Sequence, residues 1–216
     1  MSLLLLSMSF AGVLDYVSDG VVIGNAPPSL DRAYVESRYP LMIENGLILA
    51  FPESTTCNTA AAALPVDLLA SNMVAGTIYK IGGPRLWAPT NTVEVMTTPL
   101  GLGGNLAAGT KYQCVLAHFE GVNDYTNPTA TSITQWGSMH FSTNILAIQY
   151  TNTGLDNTDN ACGVADIHAS VRGTEADWDL NGATEDALQY VGSRDLKVQA
   201  STTGSTDTMR IFVACK

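Results

Sequence analysis

The sequence predicts an all-β protein, an antiparallel β-sandwich with few short helical turns, and three observations lead there. Its hydrophobic period is mostly two, or short unbroken apolar runs, which marks strands rather than amphipathic helices. The runs are bounded by Gly, Pro, Asn and Asp, residues that make turns for separate steric and hydrogen-bonding reasons. Charged residues are sparse, 14% against 46% hydrophobic, and Thr, Asn, Ser and Gly take the polar places, a mixture better suited to strands and turns than to helices. Many short strands can bury one face of each sheet only against a second sheet, and the jelly roll is one type of that arrangement. A chain of 216 residues closes one large core, so residues 12–216 are expected to form a single domain behind a separate segment 1–11.

Taken in order, that segment holds "LLLLSMSFAG", a short apolar run with Ser9 and Ala11 placed as a signal peptidase requires for a cut after Ala11. It lacks a positive leading region. It reads either as the remnant of a signal peptide or as a first strand, Leu3 to Phe10, and at roughly ten residues it is too short to span a bilayer. Strands are expected at Gly20 to Ile23, Leu41 to Ile43, Leu47 to Phe51, Val66 to Leu69, Gly76 to Ile81 and Tyr112 to Phe119. Five more follow at Thr131 to Phe141, Ile145 to Tyr150, Ala187 to Val191, Leu196 to Ala200 and Thr208 to Ala214. "IENG" sets Asn45 and Gly46 between two apolar runs, a hairpin signal, and "ALQYV" and "LKVQA" around "GSRD" form a second hairpin with Gly192 in the connection. "TAAAALP" is expected to make one helical turn ending before Pro65. "GLDNTDNACG" reads as a loop or a short helical turn. The least periodic stretch, Gly82 to Gly109, is expected as a long loop with a strand fragment around Val93 to Met96, the kind of segment that tends to carry function.

The formal net charge is −10, and the ten basic residues are scattered. No stripe exists to neutralise a phosphate backbone, so nucleic acid is not an expected partner. Four cysteines, Cys57, Cys114, Cys162 and Cys215, lie far apart and contain no close pair of the kind that holds zinc. An even count fits two disulfides in an exported chain, with three pairings open; the alternative is four buried free thiols. The pairing expected is Cys114 with Cys215 and Cys57 with Cys162, because Cys114 and Cys215 sit in strand-like segments that could lie side by side.

"DWDLNGATEDAL", residues 177–188, opens like a calcium loop. Asp177, Asp179, Asn181, the Ala183 carbonyl and Glu185 match its first five ligand positions. Leu188 stands where the bidentate carboxylate belongs, and Asp186 comes two places early. Asp156 and Asp159 of "LDNTD" could complete such a site from elsewhere; the alternative is a polar turn in which Asp and Asn bond their own backbone. Calcium is the one cofactor the sequence suggests. Trp87 and Trp178 lie in loop-like surroundings and, with Trp136, could form a platform for an extracellular polysaccharide, because an indole face packs on the apolar face of a sugar ring. His118, His140 and His168 lack close spacing, although His118 and His140 would meet if their strands were neighbours in one sheet. His118, inside an apolar strand, is most simply a hydrogen-bonded core residue.

Enzyme motifs are missing: there is no G-x-S-x-G elbow, Leu106 breaks the dinucleotide pattern in "GLGGNL", and no lysine follows a glycine cluster as in a phosphate loop. The balance favours a protein that is not an enzyme.

The order of "GTKYQCVLAHFE", "GSMHFSTNILAIQYTNTGLDNTDNACG", "RGTEADWD" and "TDTMRIFVAC", with "APPSLDRAYVES" and "AFPES" upstream, resembles exported bacterial proteins that carry PEP-CTERM-type sorting tails. The resemblance runs from about Ala26 to Cys215 and implies a secreted or cell-surface protein. It supplies no catalytic residues. The chain departs from the group's pattern in having Glu120 where an aspartate follows the His-Phe pair and no Pro-Glu-Pro tail after Lys216. The function expected is thus a structural or adhesive extracellular module, possible calcium ligands included; the alternative is a carbohydrate-binding or polysaccharide-active protein.

Overall fold

A computed structural model describes residues 13–18, 21–24, 37–38, 48–54, 56–81, 92–95, 101–120, 133–162, 186–202 and 206–216. Fifteen strands and one α-helix lie among them. The strands are β1 (Leu14–Ser18), β2 (Val21–Ile23), β3 (Ile48–Pro52), β4 (Asn58–Thr59), β5 (Leu64–Val66), β6 (Leu68–Leu69), β7 (Thr77–Ile81) and β8 (Thr92–Val95). They continue with β9 (Gly104–Leu106), β10 (Lys111–Glu120), β11 (Ile133–Phe141), β12 (Ile145–Gln149), β13 (Asp186–Gly192), β14 (Asp195–Thr202) and β15 (Thr206–Ala214). The helix α1 spans Asn152–Cys162.

The all-β expectation holds. Sheet A runs β1-β11-β14-β13-β7-β8 and sheet B runs β2-β3-β10-β15-β12-β6, with β4 added to β10; β5 and β9 form a small third sheet. Pairing is antiparallel except for β2 on β3 and β7 on β8, which run parallel. Alternation decides which side chains meet between the sheets. In β15, Met209, Ile211 and Val213 point into one core with Val115, Ala117 and Phe119 of β10, and sheet A answers with Met139, Phe141, Leu188 and Leu196. The opposite face of sheet B carries Cys114, Phe212 and Tyr112, and a third layer made of the β5–β9 pair and α1 buries it through Val66, Leu106 and Cys162.

Three expectations change. "TAAAALP" makes no helical turn: Leu64, Pro65 and Val66 are extended, paired with Leu106, Asn105 and Gly104, a two-stranded edge where proline's missing N–H costs nothing. The stretch Val66 to Leu69 is two strands, interrupted at Asp67, whose N–H turns aside to the Gln149 Oε1 at 3.0 Å. β1 was not foreseen at all. The β13–β14 hairpin closes as expected, Tyr190 opposite Leu196 and Gly192 opposite Asp195. The strands expected at Leu3 to Phe10 and Leu41 to Ile43, and the "IENG" hairpin, lie outside the described residues.

The disulfide pairing is corrected too: Cys57 is bonded to Cys215 and Cys114 to Cys162, with Cα–Cα distances of 5.8 and 5.7 Å. The strands holding Cys114 and Cys215 do lie side by side, but the register sets Cys114 opposite Phe212, three residues short of Cys215. Asn58 and Ala214 both pair with Tyr112, which brings their neighbours Cys57 and Cys215 together at that end of β10. Cys114 faces away from the sandwich, where the end of α1 supplies Cys162.

Gly137 shows how closely the two sheets approach. A Cβ added there would stand 2.2 Å from the Val21 Cγ2 and 3.1 Å from the Ile48 Cδ1. Val21 is β-branched and buried, so it has little freedom to give way. The substitution Gly137→Ala is expected to lower stability by about 1–3 kcal/mol through overpacking, measured by urea denaturation. An unchanged midpoint would mean that β2 yields at no cost.

Candidate functional site

Helix α1 starts from the sequence "NTGLDNTDNAC", rich in residues that favour caps and turns over helix interiors. Tertiary contacts hold it instead, which is why the expected loop or short turn is an eleven-residue helix. At its start, the Thr151 Oγ1 accepts the Gly154 N–H at 3.1 Å, an N-cap bond. The Asp67 carboxylate then accepts the N–H groups of Tyr150 and Thr151, each at 2.8 Å, and the Thr151 hydroxyl at 3.2 Å. At its end, the Tyr112 hydroxyl donates to the Ala161 carbonyl at 2.9 Å, and the Cys114–Cys162 bridge ties the last residue to β10.

Between these ends lies Arg210, 1% exposed. Alternation along β15 points it out of the sandwich and under the helix. Its Nε and Nη2 donate to the two Glu53 oxygens at 2.7 and 2.6 Å. The Nη1 donates to the Leu155 carbonyl at 2.8 Å and the Thr158 hydroxyl at 2.6 Å, and Nη2 also donates to the Asp159 Oδ1 at 2.8 Å. A guanidinium has five N–H groups in a fixed fork, and every one is taken. Burial by itself would push the Arg210 pKa down, but the hydrogen bonds and charges of Glu53, then Asp159, outweigh it and raise the pKa above the ordinary arginine value. Arg210 therefore stays a cation.

The Cys114 and Cys162 sulfurs and a Glu53 oxygen lie within 4.8 Å of one another, a spacing that would suit a cation. These donors do not fit one here, because the sulfurs are bonded to each other and both Glu53 oxygens receive Arg210 N–H groups. The acidic pair expected to help bind calcium is also divided. Asp156 is exposed on α1, while Asp159 is buried against Arg210. Asp177, Asp179, Asn181 and Glu185, with Trp87, Trp178 and His168, lie outside the described residues.

His118 and His140 do not meet, because β10 belongs to sheet B and β11 to sheet A. His118 is a buried core residue, its Nδ1 3.2 Å from the Thr208 hydroxyl. His140 is on the outer face of sheet A, in a row that crosses three strands: Tyr16 of β1 pairs with His140, and His140 pairs with Asp195 of β14. The His140 Nδ1 lies 2.6 Å from the Asp195 Oδ1, and the imidazole stacks on the Tyr16 ring, centroids 4.6 Å apart and planes 16° from parallel. Carboxylate and phenol thus fix the imidazole from two sides. Trp136 stands four residues back along β11, half-buried on the same face.

Tyr16 reaches this row only because β1 is irregular. Residues 14 and 16 would ordinarily face the same way. The register shifts between Leu14, opposite Phe141, and Tyr16, opposite His140. Asp15 is the inserted residue of a β-bulge, which turns Leu14 into the core and Tyr16 outward, 57% exposed. The sequence carries no readable signal for this: the bulge depends on a partner strand some 125 residues further on.

No protein-family model, curated protein or solved structure matches this chain.

Removing Arg210 would leave Glu53 and Asp159 buried without their cation. Arg210→Met is expected to cost about 3–5 kcal/mol, read from urea denaturation. Arg210→Lys should recover only part of that, since an ammonium cannot reproduce the bidentate fork. Full recovery by lysine would mean that charge alone matters there.

Tyr150 supplies a second prediction. Burial, and then the Asp67 carboxylate, raise its pKa above the ordinary 10.0. The folded state therefore holds the phenol proton more tightly than the unfolded chain, so its stabilising effect is complete below pH 10 and lost as pH rises. Burial shifts Tyr112 and Tyr190 the same way. As pH rises above about 10, stability should fall, approaching a limiting slope of about 1.4 kcal/mol per pH unit for each such tyrosine. Tyr150→Phe should flatten that fall; parallel curves for the two proteins would refute the assignment.

Proposed function

We propose that this chain is a secreted or cell-surface module with a structural and adhesive role rather than a catalytic one. The observation that carries the reading is the state of its cysteines: all four are closed in two bridges, and none is free. Disulfides persist in oxidising compartments and are rare where thiols are kept reduced. Closing loops of 158 and 48 residues removes unfolded-state entropy worth roughly 5 and roughly 4 kcal/mol in the chain-entropy picture. Such stapling suits a protein that must last without repair.

The interior supports a structural role for its ionic groups. Arg210 and Glu53 hold each other, leaving the guanidinium no N–H to offer a substrate. Among the described residues, no helix is long and apolar enough to cross a membrane. The similarity of "GTKYQCVLAHFE" and "TDTMRIFVAC" to exported proteins with PEP-CTERM-type tails agrees with this reading.

Alkylation of the protein in fractions of its native cells tests it. The protein should be found outside the cytoplasm, with no cysteine labelled when denatured without reductant and all four labelled after reduction. Cytoplasmic protein with four reactive thiols would overturn the proposal.

A further inference from the structure

We infer that the outer face of sheet A, at the end formed by Tyr16, His140 and Asp195, binds a neutral polysaccharide chain. This rests on the adhesive reading above and names its partner. Two features meet there. The Tyr16 ring is 57% exposed, with one face covered by His140; its other face is available to the apolar side of a sugar ring. At the other end of the row, two strand spacings or roughly 10 Å away, the Asp195 side chain is 44% exposed and uses one oxygen for His140, so a carboxylate acceptor for sugar hydroxyls ends the row that the aromatic ring begins. A ligand with hydroxyls on its rim and C–H groups on its faces fits that combination, whereas an anionic one would meet a chain of net charge −10.

The surface extends both ways from this row. Val191, 42% exposed, lies at the β13 bulge beyond Asp195, where Gly192 pairs with Asp195. Val74, 64% exposed, stands in the turn before β7, tied to β13 by the Gly76 N–H donating to the Tyr190 carbonyl at 2.6 Å. Two of the three exposed large hydrophobics among the described residues, Tyr16 and Val191, thus belong to sheet A at this end. Along β11, Trp136 lies roughly 13 Å from His140, four residues at about 3.3 Å each, with Ser138 between them on the same face. That length suits several rings of an extended chain rather than one small sugar.

The bulge argues for this occupant over a second copy of the protein. Among the described residues β1 is the edge of sheet A, a position from which a sheet can recruit another strand. A bulge blunts such an edge by twisting it away, and also re-aims a side chain. Here the inserted Asp15 is exposed at the edge while Tyr16 is turned onto the face.

The test uses the full oxidised chain, retained on microcrystalline cellulose or chitin, or retarded in native gels containing soluble xylan or β-glucan. Tyr16→Ala should weaken binding roughly tenfold, as loss of a central aromatic anchor does, while Tyr16→Phe should stay within about twofold, keeping the ring. His140→Ala should weaken it as well, by releasing Tyr16. Both side chains reach the surface, so unchanged melting temperatures would show that the variants remain folded. Retention on none of these polysaccharides would overturn the inference, as would binding indifferent to Tyr16 and His140. A concentration-dependent dimer abolished by Tyr16→Ala would overturn it in favour of self-association. Each of those failures leaves the extracellular reading intact if the four cysteines of the native protein are oxidised.

Discussion

Everything on the outer side of sheet B depends on Arg210 keeping its charge in a place without water. An isolated cation there would be prohibitively costly to bury. The structure meets that demand with two carboxylates, a hydroxyl and a carbonyl, aimed at the five N–H groups of one planar fork. These partners come from two places, Glu53 just after β3 and Leu155, Thr158 and Asp159 on α1, and meet the guanidinium carried by β15. The guanidinium therefore determines where the helix lies and how it is turned. A buried ion pair is weak evidence for net stability, since apolar residues of similar volume often do as well. What it supplies here is position: a polar helix with little apolar face has few other reasons to dock in one orientation.

The helix in turn explains the disulfides. Cys162 ends α1 and meets Cys114, which points the same way as Arg210 because both lie on the outward register of paired strands. The guanidinium, the N-cap at Thr151 and the bridge hold the middle, start and end of one element. Cys57–Cys215 performs a different task, tying the last residues of β15 to the short β4 across the end of β10. One bridge fixes a layer to the sandwich; the other keeps the closing strand from fraying.

Much of the fold was legible in the sequence, because period-two alternation is a local property. β3, β7, β10, β11, β12, β13, β14 and β15 all fall on stretches whose apolar spacing marks them. What escaped was decided by distant partners. "NTGLDNTDNAC" has the local preferences of a loop, and only Asp67, Arg210 and Cys114 make it a helix. The bridges depend on register as well as on which strands are adjacent, and a shift of three residues is enough to separate Cys114 from Cys215. Glu53, Asp159 and Arg210 were indistinguishable from surface charges, since burial is not written in a residue's own neighbourhood. Arg210 did leave one trace, being the lone charge in the apolar run "TMRIFVA", where a strand covered on both faces must find it a partner.

The surface site repeats that lesson at lower energy. Tyr16, His140 and Asp195 occupy one row because β1 meets β11, β11 meets β14, and a single extra residue rotates half of β1 by one face. Without the bulge, Tyr16 would point with Leu14 into the core, and the stacked pair could not form. A bulge weakens the ladder locally and leaves a residue unpaired, so it persists where the re-aimed side chain has something to do or where the edge must be protected. Here the re-aimed side chain is Tyr16, stacked on His140, and the inserted residue is Asp15, exposed at the edge. Sheet B is covered on both faces and has its charged groups engaged internally, whereas sheet A covers its own core and presents an aromatic row to solvent. The buried ionic and disulfide links are concentrated on one side of the molecule and the exposed row on the other, with the shared apolar core between the sheets holding that row in place.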